Sequence, residues 1–167
     1  GPDMNISGAG IVGTFFHAPT RERLEVLENV LIRVDDAGVI TDIHPAGDSM
    51  RTLVEAELGD RLHRLPEDHY GLPGLVDLHI HAPQYPQLGL ALDEPLEVWL
   101  QKYTFPLEAR YADLGFAHER YTALVDDLLA TGTTTALYFA TQHEAATKLL
   151  ADICIEKGQR ALVGKVV

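Results

Sequence analysis

The stretch that decides the fold is Pro73-Gly74-Leu75-Val76-Asp77-Leu78-His79-Ile80-His81. Its first two residues end a loop, and the apolar residues that follow predict a strand over 75–81. Side chains two residues apart on a strand point to the same face, so His79 and His81 should converge on one point. Two imidazoles so placed can share a zinc ion at about 2.1 Å from each nitrogen. The His-x-His spacing alone leaves open an alternative, two polar residues that hydrogen-bond to their neighbours at a strand end.

Downstream of this stretch, helical and strand patterns alternate. Strands alternating with helices predict βα units and a parallel sheet, whose active sites form at the carboxyl ends of the strands. A closed eight-stranded barrel usually needs about 250 residues, so three strands are only part of one. The chain also ends inside an apolar strand, from which we expect a truncation or a missing second part. The predicted elements are a helix from Pro95 to Tyr103, a helix over 117–130, a strand over 133–140, a helix from the 141–144 segment to about Lys157, and a strand over 160–167. The 141–144 segment has the Thr-x-x-Glu form of a capping box, which would start its helix.

Upstream, the chain is rich in strand patterns up to about Leu65. Branched residues at alternate positions indicate half-buried strands, and a turn at 36–38 indicates a hairpin. Residues 1–4 resemble a tag scar ahead of a native start and are excluded from the fold. The predicted elements are strands over 8–17, 24–34 and 39–43, and a helix over 49–58 with Leu53, Val54 and Leu58 on one side.

Composition and charge narrow the class of partners. The net charge of −12 disfavours nucleic acid and anionic membranes as partners. No apolar run approaches the roughly 18 residues that a membrane-spanning helix needs. The single cysteine, Cys154, lies on an apolar helical face and is interpreted as a core residue. A chain with one cysteine forms no internal disulfide, which fits a cytoplasmic location.

The pattern Pro-Gly-x-x-Asp-x-His-x-His resembles the first-strand signature of the amidohydrolase superfamily, the metal-dependent hydrolases. Four further stretches resemble the guanine deaminase family within it, and they follow one another in register. The resemblance is strong from Pro73 to the end of the chain and looser before it. The four stretches are 81–85, 99–108, 132–141 and 158–166.

This resemblance implies the N-terminal portion of a (β/α)8 TIM barrel with about three barrel strands, plus a small β-sandwich subdomain. Residues 5–70 would form the β-rich part of the sandwich, and residues 71–167 the first βα units of an incomplete catalytic domain. The implied activity is hydrolytic deamination of guanine to xanthine and ammonia by a zinc-activated water. The resemblance implies that His79 and His81 are zinc ligands and that Gln84 hydrogen-bonds the purine.

The same resemblance implies further histidines, an aspartate, a glutamate and an Arg-Phe pair beyond Val167, so no catalytic residue is assignable within this chain. We therefore expect the isolated chain to be unstable, to hold zinc weakly and to be inactive unless the missing C-terminal portion complements it. The resemblance also suggests a homodimer. Asp77 is interpreted as a supporting residue, and the six histidines outside the pair as surface or hydrogen-bonded structure.

Two alternatives and one ambiguity stay open. The first alternative is another aminohydrolase, acting on a different purine, a pyrimidine or a triazine, although Gln84 and the segment 99–108 argue against it. The second is a non-catalytic scaffold, which the retained histidine pair disfavours. The aromatic group of Trp99, Tyr103 and Phe105 fits either helix packing or a wall beside a flat purine.

Overall fold

Residues 5–87 and 95–167, which the computed structural model describes, fall into two units. The first ends at Pro73 and the second begins at Gly74. No helix in these described stretches is both long enough and apolar enough to cross a bilayer.

The first unit is built on one five-stranded sheet and a helix. The strands are β1 (Gly10–Thr20), β2 (Arg23–Val34), β3 (Ile40–His44), β4 (Leu62–Arg64) and β5 (Tyr70–Gly71), and the helix is α1 (Ser49–Leu58). The order is β3-β2-β1-β4, with β5 also paired to β1. The pairs β1–β2 and β2–β3 are antiparallel, whereas β4 and β5 run parallel to β1.

The hairpin and the helix predicted in this unit are confirmed. One residue of the helix does not lie on the side predicted for it. Gly38, at a φ of +82°, closes the turn between β2 and β3. Val54 and Leu58 of α1 pack on one face of the sheet. Leu53 is 62% exposed, so the prediction that it shares their side is wrong. Each helical residue turns by about 100°, and the sheet contacts only the narrow stripe through Val54 and Leu58.

The other face of this sheet carries apolar side chains around a cavity of about 620 Å³. Ile40 and Ile43 on it are 58% and 49% exposed. The described residues of this unit contain one sheet, so the β-sandwich subdomain, which needs a second, remains a prediction.

The second unit is a three-stranded parallel sheet with its helices between the strands. Its strands are β6 (Leu75–His81), β7 (Thr133–Phe139) and β8 (Arg160–Gly164), in the order β6-β7-β8. Between β6 and β7 lie α2 (Leu96–Trp99), a π-helical turn (Leu100–Thr104), α3 (Phe105–Ala109) and α4 (Leu114–Ala130), and α5 (Glu144–Lys157) joins β7 to β8. The predicted βα units are therefore present, and this mixed α/β arrangement is consistent with a partial barrel.

The helices of this unit begin and end at residues with clear physical reasons. The Asp113 carboxylate accepts hydrogen bonds from the backbone N–H groups of Gly115 and Phe116, at 2.9 and 3.3 Å, and so starts α4. Gly158 ends α5 in the left-handed conformation, as predicted. A core of α4, α5 and β7 side chains lies on one side of the sheet, and it contains Cys154 as predicted.

Two local predictions in this unit are wrong. The capping box at 141–144 does not form, because α5 begins at Glu144 with His143 as its N-cap residue. The Thr141 hydroxyl accepts a hydrogen bond from the His143 backbone N–H instead. Pro95 is the residue before α2 and not its first helical position. The Asp93-Glu94 pair that precedes it lies outside the described residues.

The strand β6 is exposed along nearly its whole length, although its sequence is apolar. Leu75, Val76 and Leu78 are 59%, 59% and 61% exposed. Strands of parallel sheets are normally covered on both faces. β6 is therefore an apolar edge strand of a parallel sheet whose side chains are left largely uncovered among the described residues.

Candidate functional site

The two histidines of β6 converge, as their spacing predicts. The Nε2 atoms of His79 and His81 lie 3.0 Å apart, and the ring centroids lie 4.9 Å apart. Two nitrogens bound to one zinc at about 2.1 Å and at tetrahedral angles would lie about 3.4 Å apart. The pair is thus within about 0.4 Å of the spacing that a shared ion requires.

A bulge in β6 sets the direction of these rings. Asp77 pairs with Ala136 of β7 and Ile80 pairs with Tyr138, so two residues of β6 lie opposite one residue of β7. The carboxylate of Asp77 accepts a hydrogen bond from the His79 backbone N–H at 3.0 Å inside this bulge. Asp77 therefore acts as a support for the first histidine.

Phe139, the last residue of β7, is the part of this site that sequence reasoning missed. It is the register partner of His81 across the parallel pair. Its ring stacks on His81 at 5.3 Å between centroids and 24° between planes, and it lies 5.1 Å from the His79 ring at 48°. From the sequence, the only sign of its role is that Phe139 lies near the end of the second predicted strand. The contact between the three rings could not be predicted, because it depends on a strand register that the bulge in β6 shifts.

Gln84 lies three residues after His81, in a tight 3-10 segment over Ala82–Gln87. It is half-buried and lines the same cavity of about 410 Å³ as both histidines. The segment is anchored by the Tyr111 hydroxyl, which donates to the Pro83 carbonyl at 3.1 Å, and by Ala82, which is buried in the core. The structure therefore brings all three predicted site residues to one cavity.

This cavity is not a closed pocket. It continues along the unpaired edge of β6 to α4, where Leu124, Asp127, Leu128 and Thr131 line it. A purine pocket of the usual kind encloses most of its ligand. The cavity at the β6 edge is therefore an open groove, which could bind a ligand on one side only.

Among residues 5–87 and 95–167, no three His, Cys, Asp or Glu side chains form a group that could hold a metal ion. Other histidines are engaged in local structure, as predicted. His44 contacts the Asp48 carboxylate at 2.7 Å, His69 the Glu67 carbonyl at 3.2 Å and His143 the Thr141 hydroxyl at 2.9 Å. A zinc site normally needs three or four protein ligands, and the His79–His81 pair could supply two of them.

A buried polar network fixes β7 behind the site. The Tyr138 hydroxyl donates to Oε1 of Gln159 at 2.5 Å, and Nε2 of Gln159 donates to the Thr133 carbonyl at 3.1 Å. Burial raises the pKa of Tyr138 above its usual value and raises the pKa of the nearby Cys154 thiol to about 11. A buried, protonated thiol is a poor nucleophile, in agreement with a core role for Cys154.

The three aromatic residues Trp99, Tyr103 and Phe105 differ in burial. Trp99 and Tyr103 are half-buried, whereas Phe105 is 54% exposed. Phe105 lines a second cavity, of about 280 Å³, with Thr141 and His143. Helix packing therefore does not account for Phe105, and a role for Trp99 beside a purine remains a prediction.

Known proteins are similar to this chain in sequence and in fold. The amidohydrolase family model matches residues 70–167. Human guanine deaminase is 44% identical over 155 residues, which are 92% of this chain and 34% of the human protein. The chain thus spans about a third of the length of the curated relatives it matches.

Solved structures agree with this similarity. The guanine deaminase of C. acetobutylicum, crystallised with guanine bound in its active site, superposes with a TM-score of 0.75 at 30% identity, over 92% of this chain and 35% of that one. An adenosine deaminase from Xanthomonas campestris with bound zinc gives a TM-score of 0.65 at 27% identity, over 95% and 34%. With its histidine pair at the end of a parallel strand and a family match over residues 70–167, the chain belongs to the amidohydrolase family.

Proposed function

We propose that this chain forms part of a zinc-dependent guanine deaminase, which hydrolyses guanine to xanthine and ammonia. The observation that carries the proposal is the 3.0 Å separation of the His79 and His81 Nε2 atoms beside a cavity that Gln84 also lines. The 44% identity to human guanine deaminase supports guanine over other cyclic substrates. The zinc in the Xanthomonas campestris relative supports zinc as the metal.

In this proposal, His79 and His81 would hold the zinc ion, since their Nε2 atoms converge. When bound, such an ion acts as a Lewis acid that makes water nucleophilic at neutral pH. Gln84 orients the purine, because a carboxamide both donates and accepts and so matches the mixed donors and acceptors of a purine edge. The edge of β6 would exclude water from one side of the substrate.

The remaining groups belong to a larger assembly. We propose that further strands complete a (β/α)8 barrel along the exposed edge of β6 and supply the other metal ligands. They would also supply the carboxylate that takes the proton of the water and the acid that protonates the leaving ammonia. The first unit would then be half of a β-sandwich subdomain, and a cytoplasmic homodimer would be the working form.

The histidine pair is tested in the full-length protein with His79→Ala and His81→Ala. Each should lose bound zinc and lower guanine turnover by more than about 10²-fold, since the ligands position the metal for the reaction. His118→Ala is the matched control, because His118 is an exposed histidine on α4 of the same unit. Full zinc content and turnover in both pair variants would refute the metal assignment.

Gln84→Leu tests the substrate-binding role separately from the metal. Zinc content should stay at the wild-type level while kcat/KM for guanine falls by about 10²-fold or more, because a polar edge is left unpaired. A panel of adenine, cytosine and triazine substrates, followed by ammonia release, tests guanine itself. Faster turnover of one of these would overturn the substrate while leaving the zinc site in place.

The 167-residue chain alone provides a further test. With two histidine ligands it should release no measurable xanthine from guanine, even in excess zinc. Measurable turnover by the purified chain would contradict the proposal that the remaining catalytic groups lie elsewhere.

A further inference from the structure

Phe139 occupies a position that packing in the core does not explain. The residues on either side of it, Tyr138 of β7 and Ala140 just after the strand, are buried against the helices at 0% and 3% exposure. Phe139 points to the opposite face of the sheet and is 37% exposed. On that face its ring partners are the imidazoles of His79 and His81.

The three rings form a triangle with sides of 4.9, 5.1 and 5.3 Å between centroids. The small angle of 24° between Phe139 and His81 means that the phenyl face covers one face of that imidazole. Rotation of the His81 ring about its Cβ–Cγ bond would drive its edge into the phenyl ring. His79, tilted at 48°, is confined from the same side.

The backbone that carries Phe139 is itself held on both sides. Tyr138 is fixed by its buried hydrogen bond to Gln159, and the backbone N–H of Ala140 donates to the Gly164 carbonyl of β8 at 2.9 Å. The Phe139 ring is therefore presented from a rigid strand and is suited to restrain its neighbours.

We propose that Phe139 is a positioning residue that holds the His79 and His81 rings in their converging orientation before a metal ion binds. The proposal rests on the zinc site proposed above. A metal that meets preoriented ligands loses less side-chain freedom on binding, so the aromatic wall raises metal affinity without touching the ion.

The test compares Phe139→Leu, which keeps an apolar side chain, with Phe139→Tyr, which keeps the ring. The dissociation constant for Zn²⁺ is measured in the metal-free full-length protein by competition with a chromophoric chelator. The leucine variant should bind about 2- to 12-fold more weakly, the equivalent of one aromatic stacking contact. The tyrosine variant should recover wild-type affinity, and Phe105→Leu, a change at an exposed phenylalanine of the same unit, should not alter it.

A spectroscopic measurement on the unmodified protein does not depend on how the variants fold. In the metal-free form, the carbon-bound imidazole protons of His79 and His81 should show NOEs to the Phe139 ring and upfield ring-current shifts. The shifts should vanish in the leucine variant and persist in the tyrosine variant, because they require an aromatic ring at this position. The chelator competition then tests whether that contact changes the zinc affinity. Absence of these NOEs would overturn the proposal.

The histidine variants separate this proposal from the one on which it rests. If His79→Ala and His81→Ala leave the zinc dissociation constant unchanged, the metal site itself is wrong. If they weaken zinc binding while Phe139→Leu matches the wild type, the metal site stands and the positioning role fails.

Discussion

Gly74→Ala should destabilise the second unit by forcing β6 and β7 apart at their amino ends. A Cβ atom at Gly74 would lie 1.7 Å from Oγ1 of Thr134 and 2.6 Å from both its Cβ and its Cγ2. A new rotamer of Thr134 moves Oγ1 and Cγ2 away but leaves Cβ in place. The clash at 2.6 Å therefore has to be relieved by the backbone.

The size of the effect follows from this distance. Ordinary contact begins at 3.4 Å, so the strands must separate by about 0.8 Å. The adjacent hydrogen bond from the Leu75 N–H to the Gly132 carbonyl, now 2.8 Å, would lengthen to roughly 3.6 Å and be lost. Overpacking costs about 1–3 kcal/mol and a lost hydrogen bond about 0.5–1.5 kcal/mol. We expect the free energy of unfolding to fall by about 2–4 kcal/mol.

Urea unfolding of the full-length protein, followed by circular dichroism, measures this change. Gly164→Ala in β8 is the matched control, since its Cβ would meet only the Tyr138 carbonyl at 3.6 Å, and it should stay within about 0.5 kcal/mol of the wild type. Adding Thr134→Gly to Gly74→Ala removes the clashing atoms and should restore part of the loss. The reasoning is refuted if Gly74→Ala is as stable as the wild type, or if the second substitution brings no relief.

Three further predictions follow from burial and capping. Burial raises the pKa of Tyr111, Tyr121 and Tyr138 above the usual 10.0, so above about pH 10 the unfolded chain loses protons that the folded protein keeps. The free energy of unfolding should then fall as the pH rises above about 10, by at most about 1.4 kcal/mol per pH unit for each tyrosine, and Tyr138→Phe should remove one such contribution in urea titrations above about pH 10. The Cys154 thiol, buried and with its pKa raised to about 11, should react with a thiol reagent only in denaturant, as a colorimetric titration with and without urea would show. Asp113→Ala removes the acceptor that starts α4 and should lower the free energy of unfolding by about 1 kcal/mol, while Asp113→Asn should not, in the same urea assay.

The features that sequence predicted well are those with local causes. The convergence of His79 and His81 needs only the alternation of side chains along one strand. The end of α5 needs only a glycine in the left-handed conformation at Gly158. Such features are determined by a few neighbouring residues and do not depend on tertiary contacts.

The features that sequence missed depend on distant partners. The contact between Phe139 and His81 depends on the β6–β7 register, which the bulge after Asp77 shifts. The capping pattern at 141–144 fails because Thr141 is already engaged, its carbonyl accepting the Val166 N–H at 3.2 Å and its hydroxyl bonding to His143. A local pattern predicts a contact only where no tertiary contact competes for the same atoms.

In the proposed enzyme, one short segment would fix both the metal and the substrate. The histidine pair lies on β6, and Gln84 follows it within the 3-10 segment that the Tyr111 hydroxyl anchors through Pro83. A displacement of about 1 Å between a reacting group and its substrate can lower a rate by about 10²-fold. Because the histidine pair and Gln84 lie on one continuous stretch of backbone, the distance between them stays constant when other strands move. Changes that displace the backbone of this segment should therefore alter metal affinity and guanine binding together, whereas a side-chain change such as Gln84→Leu should alter guanine binding alone.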